Sequence, residues 1–453
     1  AYQYAHTQPV LYDCTHLLHR CAFLHKLRRD FAQAGATRNS FMMKKLLFML
    51  LFFSLPTSAY AELTTTMSLQ SRYFDDASTW VEKKTYTSAS IESEYKATFS
   101  DDTQTVTVTP FGRYDVNDEG RRYLDLREAN WSLSKDNDHW RVGISRVNWG
   151  VMEVFKLVDI INQKDANALP DREKLGQPML AWSTYVGDDL VDLYVLEGLR
   201  EVDFPDDDGR FRYPFTVDDK HSEHEWGATG ATDFAFRWKK QWGSADIAVS
   251  HFYGMNRNPY FTFNFDFKDP RLIPVYEKIN QTSLDGVLTL DDILFKFEAL
   301  FQTGDLQRFG AVAVGVEKTF GAVFHTAVDV TALAEATYDS RDNNIQTPYD
   351  RDVFLGTRIA FNDSHENSLL VGAVVDARYR QYAGFAQWNM NVGEAWKLRF
   401  AASIFESREP AIDRSALDEA VFSAYDAIEN RRLPLDAKLV QRLLDLAQHQ
   451  SLN

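Results

Sequence analysis

From Leu63 onward, apolar and polar residues alternate in short runs. Ala89, Ile91, Tyr95, Ala97 and Phe99 are interleaved with Ser90, Glu92, Glu94, Lys96 and Thr98. Phe261, Phe263, Phe265 and Phe267 alternate with Thr262, Asn264 and Asp266. Ile293, Phe295, Phe297, Ala299 and Phe301 alternate with Asp292, Lys296, Glu298 and Gln302. A period of two places one residue set on each face of a strand. Breaks rich in Asp, Asn and Gly divide the chain into about eighteen such segments. They are 63–74, 88–99, 103–115, 123–134, 139–149, 179–187, 189–199, 227–239, 244–254, 259–267, 272–281, 289–302, 308–320, 323–338, 351–361, 367–379, 382–392 and 396–405.

Many of these segments are longer than the usual strand of about five or six residues and match the nine to eleven of a tilted bilayer-crossing strand. An open sheet of this width is unusual, and closure into a barrel with an apolar outside and a polar inside is the simplest solution. The pattern therefore predicts an all-β chain, a transmembrane antiparallel β-barrel of about 16–18 strands. Tryptophans near predicted strand ends (Trp131, Trp140, Trp149, Trp182, Trp226, Trp238, Trp242, Trp388, Trp396) suit interfacial girdles. The alternation slips phase at Arg127-Glu128 and at Ser145-Arg146, as β-bulges would make it do.

Three stretches depart from the alternation. Residues 150–177 carry Val154, Leu157, Val158 and Ile161 at helical spacing and predict a short, partly helical insert, either an external loop or a fold into the lumen. Residues 200–226 are strongly charged and read as a long loop. From Ala411 the spacing is helical again, predicting a helical C-terminal tail over 407–453 in two short pieces around Leu433-Pro434.

Near the start, Met42-Met43-Lys44-Lys45 leads into the apolar run Leu46–Leu55 and then Ala59-Tyr60-Ala61. This has the three parts of a secretory signal, and the run is too short to cross a bilayer as a helix. Residues 42–61 are read as a signal peptide, 1–41 as upstream sequence from a mis-assigned start, and 62–406 as the barrel. Removal of residues 1–61 also changes the charge: 49 basic and 65 acidic residues become 49−7 = 42 and 65−2 = 63, a net of −21. Both Cys, at 14 and 21, go with it. Such an acidic chain lacks a nucleic-acid binder's basic footprint. Without cysteine it has no thiolate metal cluster or disulfide framework.

Trp140-Arg141-Val142-Gly143, Asn148-Trp149-Gly150 and Asp159-Ile160-Ile161-Asn162-Gln163-Lys164-Asp165 resemble a motif of a poorly characterised family of Gram-negative outer-membrane barrels, porin-like and grouped near alginate-export barrels. Arg271–Glu277, Phe295–Ala299, Gly315–Phe320, Tyr338–Arg341 and Asp352–Asp363 extend the resemblance over roughly residues 120–406. The resemblance implies an outer-membrane channel or transporter with no assigned chemistry. A helical tail in place of a last aromatic-ended strand departs from the pattern of such barrels.

The candidate pore residues are Lys156, Asp159, Lys164 and Asp165 of the insert and Arg127, Arg141, Glu298, Asp376, Arg378 and Arg399 of the inner wall. Charge rings and pore width select solutes in wide barrels, although most such wall residues are only hydrated or paired with one another. Asp206, Asp207 and Asp208 offer oxygen ligands for a cation, but without the EF-hand spacing. His221 and His224 stand three apart in a loop and lack a third ligand. Ser250, His251 and His325 come without a G-x-S-x-G elbow, and no phosphate-binding glycine loop is present.

The expectation is thus a passive or substrate-selective channel in the Gram-negative outer membrane, not an enzyme and without a cofactor. The alternatives are a transporter of hydrophobic or polymeric substrates, a barrel-embedded hydrolase, or a soluble β-sandwich binding protein. The expected partners are the lipid bilayer, lipopolysaccharide, small solutes and the barrel-assembly machinery, with no nucleic acid.

Overall fold

The structure is a computed structural model. It describes residues 60–406 except 75–82, 101, 169–172, 208, 214, 225–231, 265–270, 342–350, 378–380 and 394–395. The predicted upstream segment, most of the predicted signal peptide and the predicted helical tail lie outside the described residues. Tyr60 and Ala61 are the first residues of β1.

The strands are β1 (Tyr60–Tyr73), β2 (Thr85–Phe99), β3 (Gln104–Asp115), β4 (Tyr123–Lys135), β5 (Asp138–Ser145), β6 (Gln177–Val186), β7 (Asp189–Glu197), β8 (Thr216–Val217), β9 (Glu223–His224), β10 (Thr232–Trp242) and β11 (Ala245–Met255). Then follow β12 (Tyr260–Asn264), β13 (Arg271–Tyr276), β14 (Lys278–Leu290), β15 (Ile293–Thr303), β16 (Arg308–Phe320), β17 (Asp329–Asp339), β18 (Asp352–Ala360), β19 (Ser368–Asp376), β20 (Tyr382–Val392) and β21 (Trp396–Glu406). A single 17-stranded antiparallel sheet holds all of them except β8, β9, β12 and β13. Each strand of this wall pairs with its neighbours in chain order, and β1 and β21 are its edges among the described residues.

The sheet is curled. Arg146 Nη2 lies 3.7 Å from Glu92 on β2, and Phe155 sits in one apolar cluster with Phe354 on β18. In a flat sheet those two strands would be about 60 Å apart at 4.7–4.9 Å per strand. The nine residue steps from Arg146 to Phe155 reach about 30 Å when fully extended. Only a sheet bent around the segment lets it touch both.

The outer face is apolar. Val312, Val314 and Val316 on β16, Phe295 and Phe301 on β15, and Phe234 and Phe236 on β10 are all exposed. Their in-between neighbours Ala311, Ala313, Glu298, Gln302, Ala235 and Arg237 are buried on the inside.

The two rims differ. The connections 136–137, 187–188, 243–244 and 291–292 are two-residue turns on one rim. At the opposite rim the strand ends β1/β2, β5/β6, β7/β10 and β11/β14 are separated by longer stretches of chain. Tryptophans gather at the tight-turn rim: Trp140 and Trp182 pair across β5 and β6 with ring centroids 5.8 Å apart, and Trp388 meets Phe400 at 5.8 Å. Trp149 does not join them. It is buried, 5.9 Å from Tyr194, with Arg237 5.3 Å from its ring.

Several sequence expectations change here. Within the predicted segments 259–267 and 272–281, Tyr260–Asn264 and Arg271–Tyr276 pair as β12 and β13, and β13 also pairs with β8 and β9 in a separate small sheet. The wall strand there is β14, whose small polar stretch Gln281–Gly286 conceals the alternation. The slip at Arg127 is a bulge: Thr109 pairs with Glu128 and Pro110 with Leu126, leaving Arg127 as the extra residue. The slip at Ser145-Arg146 is the end of β5.

Candidate functional site

Between β5 and β6 the chain leaves the wall at Arg146 and returns at Gln177. This insert fills part of the lumen. Its described residues contain no helix, contrary to the helical spacing of Val154, Leu157, Val158 and Ile161. That spacing serves two flanks instead. Met152 and Phe155, with Val154 and Leu157 against them, pack on Ala313, Leu333 and Phe354 of β16, β17 and β18. Val158, Ile160 and Ile161 pack on the other half of the wall, against Met179, Leu196, Ala235 and Phe252.

The insert's backbone amides bond to wall carboxylates rather than to carbonyls of a helix. Glu298 Oε1 accepts the N–H groups of Val151 at 2.7 Å and Met152 at 3.0 Å. Its Oε2 accepts those of Leu157 at 2.7 Å and Val158 at 3.1 Å. Glu335 accepts the N–H groups of Glu153, Val154 and Phe155 at 2.5, 3.0 and 3.2 Å. Irregular backbone away from water is tolerated only where its polar groups find such partners. Gly150 allows the close approach: its φ is +93°, and a Cβ there would lie 2.5 Å from Glu298 Oε1.

A second anchor holds the returning half. Arg127 Nη2 is 3.2 Å from Asp165 and 3.3 Å from Glu173, and its guanidinium lies 4.3 Å from the Phe111 ring centroid. The Tyr123 hydroxyl donates to Asp165. Asn162 accepts the Val147 N–H at 2.8 Å and donates to the carbonyls of Ser145 and Leu175 at 2.9 Å each. Lys174 Nζ reaches Asp159 at 2.5 Å and the Val147 carbonyl at 2.6 Å. Burial pushes the Lys174 ammonium below its usual range, Asp159 opposes this, and the charges of Lys164 and Lys156 add to the downward push.

What remains beside the insert is a polar cavity of about 750 Å³. Arg146, Lys156, Lys164, Lys174, Arg257 and Arg341 line it, against Glu128, Glu153, Asp159, Glu173 and Asp339. These charges are largely paired. Arg146 is 3.6 Å from Glu128, Arg358 2.6 Å from Glu153, Arg341 2.5 Å from Asp339, and Arg257 2.8 Å from Asp233.

Of the predicted pore residues, Lys156, Asp159 and Lys164 line this cavity. Asp165 and Arg127 come together but are buried in the anchor, and Glu298 is buried beneath the insert. Arg141 is half-buried on the inner side of β5, Asp376 is half-buried at the end of β19, and Arg399 is exposed on the edge strand β21. None of those three lines the cavity, and Arg378 lies outside the described residues. Sequence reasoning missed Glu335, Glu128, Arg146, Glu153 and Lys174. Glu335 was visible as the single acid on the inward phase of Ala332–Thr337, a signal that gains weight only once the insert is known to lie opposite.

Asp207 is held by Arg212 at 2.9 Å and accepts from Thr216. Asp208 is outside the described residues, and no group of metal-binding side chains occurs among those described. His221 pairs with Asp218 and His224 with Glu201. Ser250 and His251 point to opposite sides of β11, the serine buried and the histidine exposed beside Thr282 at 3.0 Å. His325 stands in the turn between β16 and β17.

No protein-family model matches the chain. No curated protein matches it in sequence. Among solved structures it is similar to OccK2 (OpdF) of Pseudomonas aeruginosa in complex with glucuronate, at 10% identity and a TM-score of 0.47, covering 77% of this chain and 92% of that one. It is similar to P. aeruginosa OccK11 (OpdR) at 10% identity and a TM-score of 0.44, covering 78% and 92%. Escherichia coli Wzi, described as an outer-membrane, carbohydrate-binding β-barrel involved in group 1 capsule assembly, is similar at 10% identity and a TM-score of 0.47, covering 84% and 88%. The architecture described above stands on strand pairing and the enclosed insert, not on these likenesses.

Proposed function

We propose that this chain is an outer-membrane channel of a Gram-negative bacterium, through which small polar solutes diffuse. The observation that carries the reading is the insert enclosed by a wall with an apolar outside and a charged inside. Hydrocarbon admits a sheet only when its polar backbone is satisfied internally and its outer side chains are apolar, as on β10, β15 and β16, each paired on both sides. Tight turns on one rim and long connections on the other match the periplasmic and extracellular ends of such barrels. The Trp140–Trp182 pair at the tight-turn rim suits a membrane interface.

Solutes would pass beside residues 146–176, where the wall charges and the insert set the width and the field. Diffusion needs neither an energy source nor a covalent step. On this reading the outer face meets phospholipid and lipopolysaccharide, and the barrel-assembly machinery inserts the chain. Planar-bilayer recording of the refolded mature chain tests it. Ohmic, solute-blockable steps are expected. Folded protein in the bilayer without conductance overturns it.

A further inference from the structure

We infer that the constriction favours solutes carrying an oxyanion, a carboxylate or a phosphate, and that Lys156 is the cation they meet. This rests on the channel reading above. The carboxylates of the cavity (Glu128, Glu153, Asp159, Glu173 and Asp339) each have a cation at ion-pair distance. Their charge is answered by cations of the wall and the insert. Lys156 is different: it is exposed on the insert, it lines the cavity, and it makes no side-chain hydrogen bond or ion pair with any described residue.

The fold keeps it so. The backbone around Lys156 turns tightly, with its own N–H on the Val154 carbonyl at 3.1 Å and the Leu157 N–H on the Phe155 carbonyl at 2.9 Å. The wall carboxylates Glu298 and Glu335 are occupied by the amides on either side of Lys156. They hold Val154, Phe155, Leu157 and Val158 to the wall and leave the side chain between them directed at the open space. Lys164 and Lys174 line the same cavity, so three ammonium groups share this side of the insert with Asp159. Low-dielectric walls focus such a field on the passage.

The test is the reversal potential of the refolded mature chain in a potassium chloride gradient, with acetate and inorganic phosphate as blocking probes. Wild type is expected to pass chloride in preference to potassium and to be blocked by both oxyanions. Lys156→Glu is expected to lower the chloride-to-potassium permeability ratio by about threefold in 0.1 M salt, where screening acts over about 10 Å. Lys156→Arg keeps the ratio. Lys156→Gln, neutral and similar in size, should fall between and shows that charge, not shape, is read. Conducting channels whose ratio is the same in wild type, Lys156→Gln and Lys156→Glu overturn the inference and leave the channel reading standing. Folded wild type without conductance overturns the channel reading itself.

Discussion

Glu298, on the inner face of β15, accepts the backbone N–H of Leu157 at 2.7 Å. A wall carboxylate thus does for the insert what a carbonyl four residues back does in a helix. The same side chain also holds Val151, Met152 and Val158, so one residue fixes both limbs of the loop around Lys156.

Glu298→Gln keeps the shape but replaces one accepting oxygen with a donor facing two amides. Losing charge-assisted bonds to buried N–H groups costs about 2 kcal/mol, which is about a thirtyfold gain in local opening. Amide exchange at residues 151–158 should quicken by that factor while the wall strands keep their protection. Unchanged exchange would show that the insert is held by its apolar flanks alone.

Gly150→Ala should act on the same limb by another route. An L-residue at φ +93° is strained, and its Cβ would press on Glu298. The expected result is a folded barrel with noisier, altered single-channel conductance; a trace identical to wild type would contradict the close approach of Gly150 to the wall.

In the second anchor, Arg127→Met removes the cation between Asp165 and Glu173 and leaves Asp165 buried beside Tyr123, with Arg113 at 3.9 Å. Breaking a buried pair by removing one partner costs about 3–5 kcal/mol when the charge is left uncompensated, and Arg113 keeps the cost here at or below the low end of that range. Trypsin should then cut after Lys164 or Lys174 in the folded variant, and not in wild type. Equal resistance in both would mean that Asn162, Lys174 and Arg113 suffice to hold this half.

Burial pushes the Asp118 carboxyl in the loop after β3 up to about 6, against the opposing pull of Arg121 and Arg72. Because the folded-state value is raised above the ordinary 3.8, protonation favours the folded loop. That contribution is complete below about pH 4 and is lost as the pH rises through about 6. Protection of amides 116–122 should fall across this window, and Asp118→Asn should flatten the dependence. A flat wild-type profile would contradict the burial of this group.

The wall was legible in the sequence because a strand with lipid-type residues on one side and polar ones on the other repeats a simple signal. Phe295 and Phe301 against Glu298 and Gln302 are read as opposite faces in the sequence and are exposed and buried, respectively, in the structure. The bulge at Arg127 was legible too, since an extra residue must shift the phase. What failed were places where a residue's partner is remote. Trp149 resembles a girdle tryptophan until Tyr194 and Arg237 are known to face it. The insert imitates a helix because its apolar side chains serve two opposite walls, and nothing local tells that from one helical face. Phe261 alternates as well as any wall residue, yet packs with Phe204 and Tyr213 in the small sheet. Lys156 was visible as a candidate, but its lack of a partner among the described residues emerges only when the pairs around it are assembled.

The central claim is that hydrocarbon covers the apolar side of the wall. Nitroxide labels placed one at a time at positions 311–317 of β16, in the refolded chain in bilayers, test it most directly. Positions 312, 314 and 316 should be reached by dissolved oxygen and shielded from a polar nickel reagent, with 311, 313, 315 and 317 out of phase. Polar-reagent access at 312, 314 and 316, or shielding from both reagents at all seven, would contradict it.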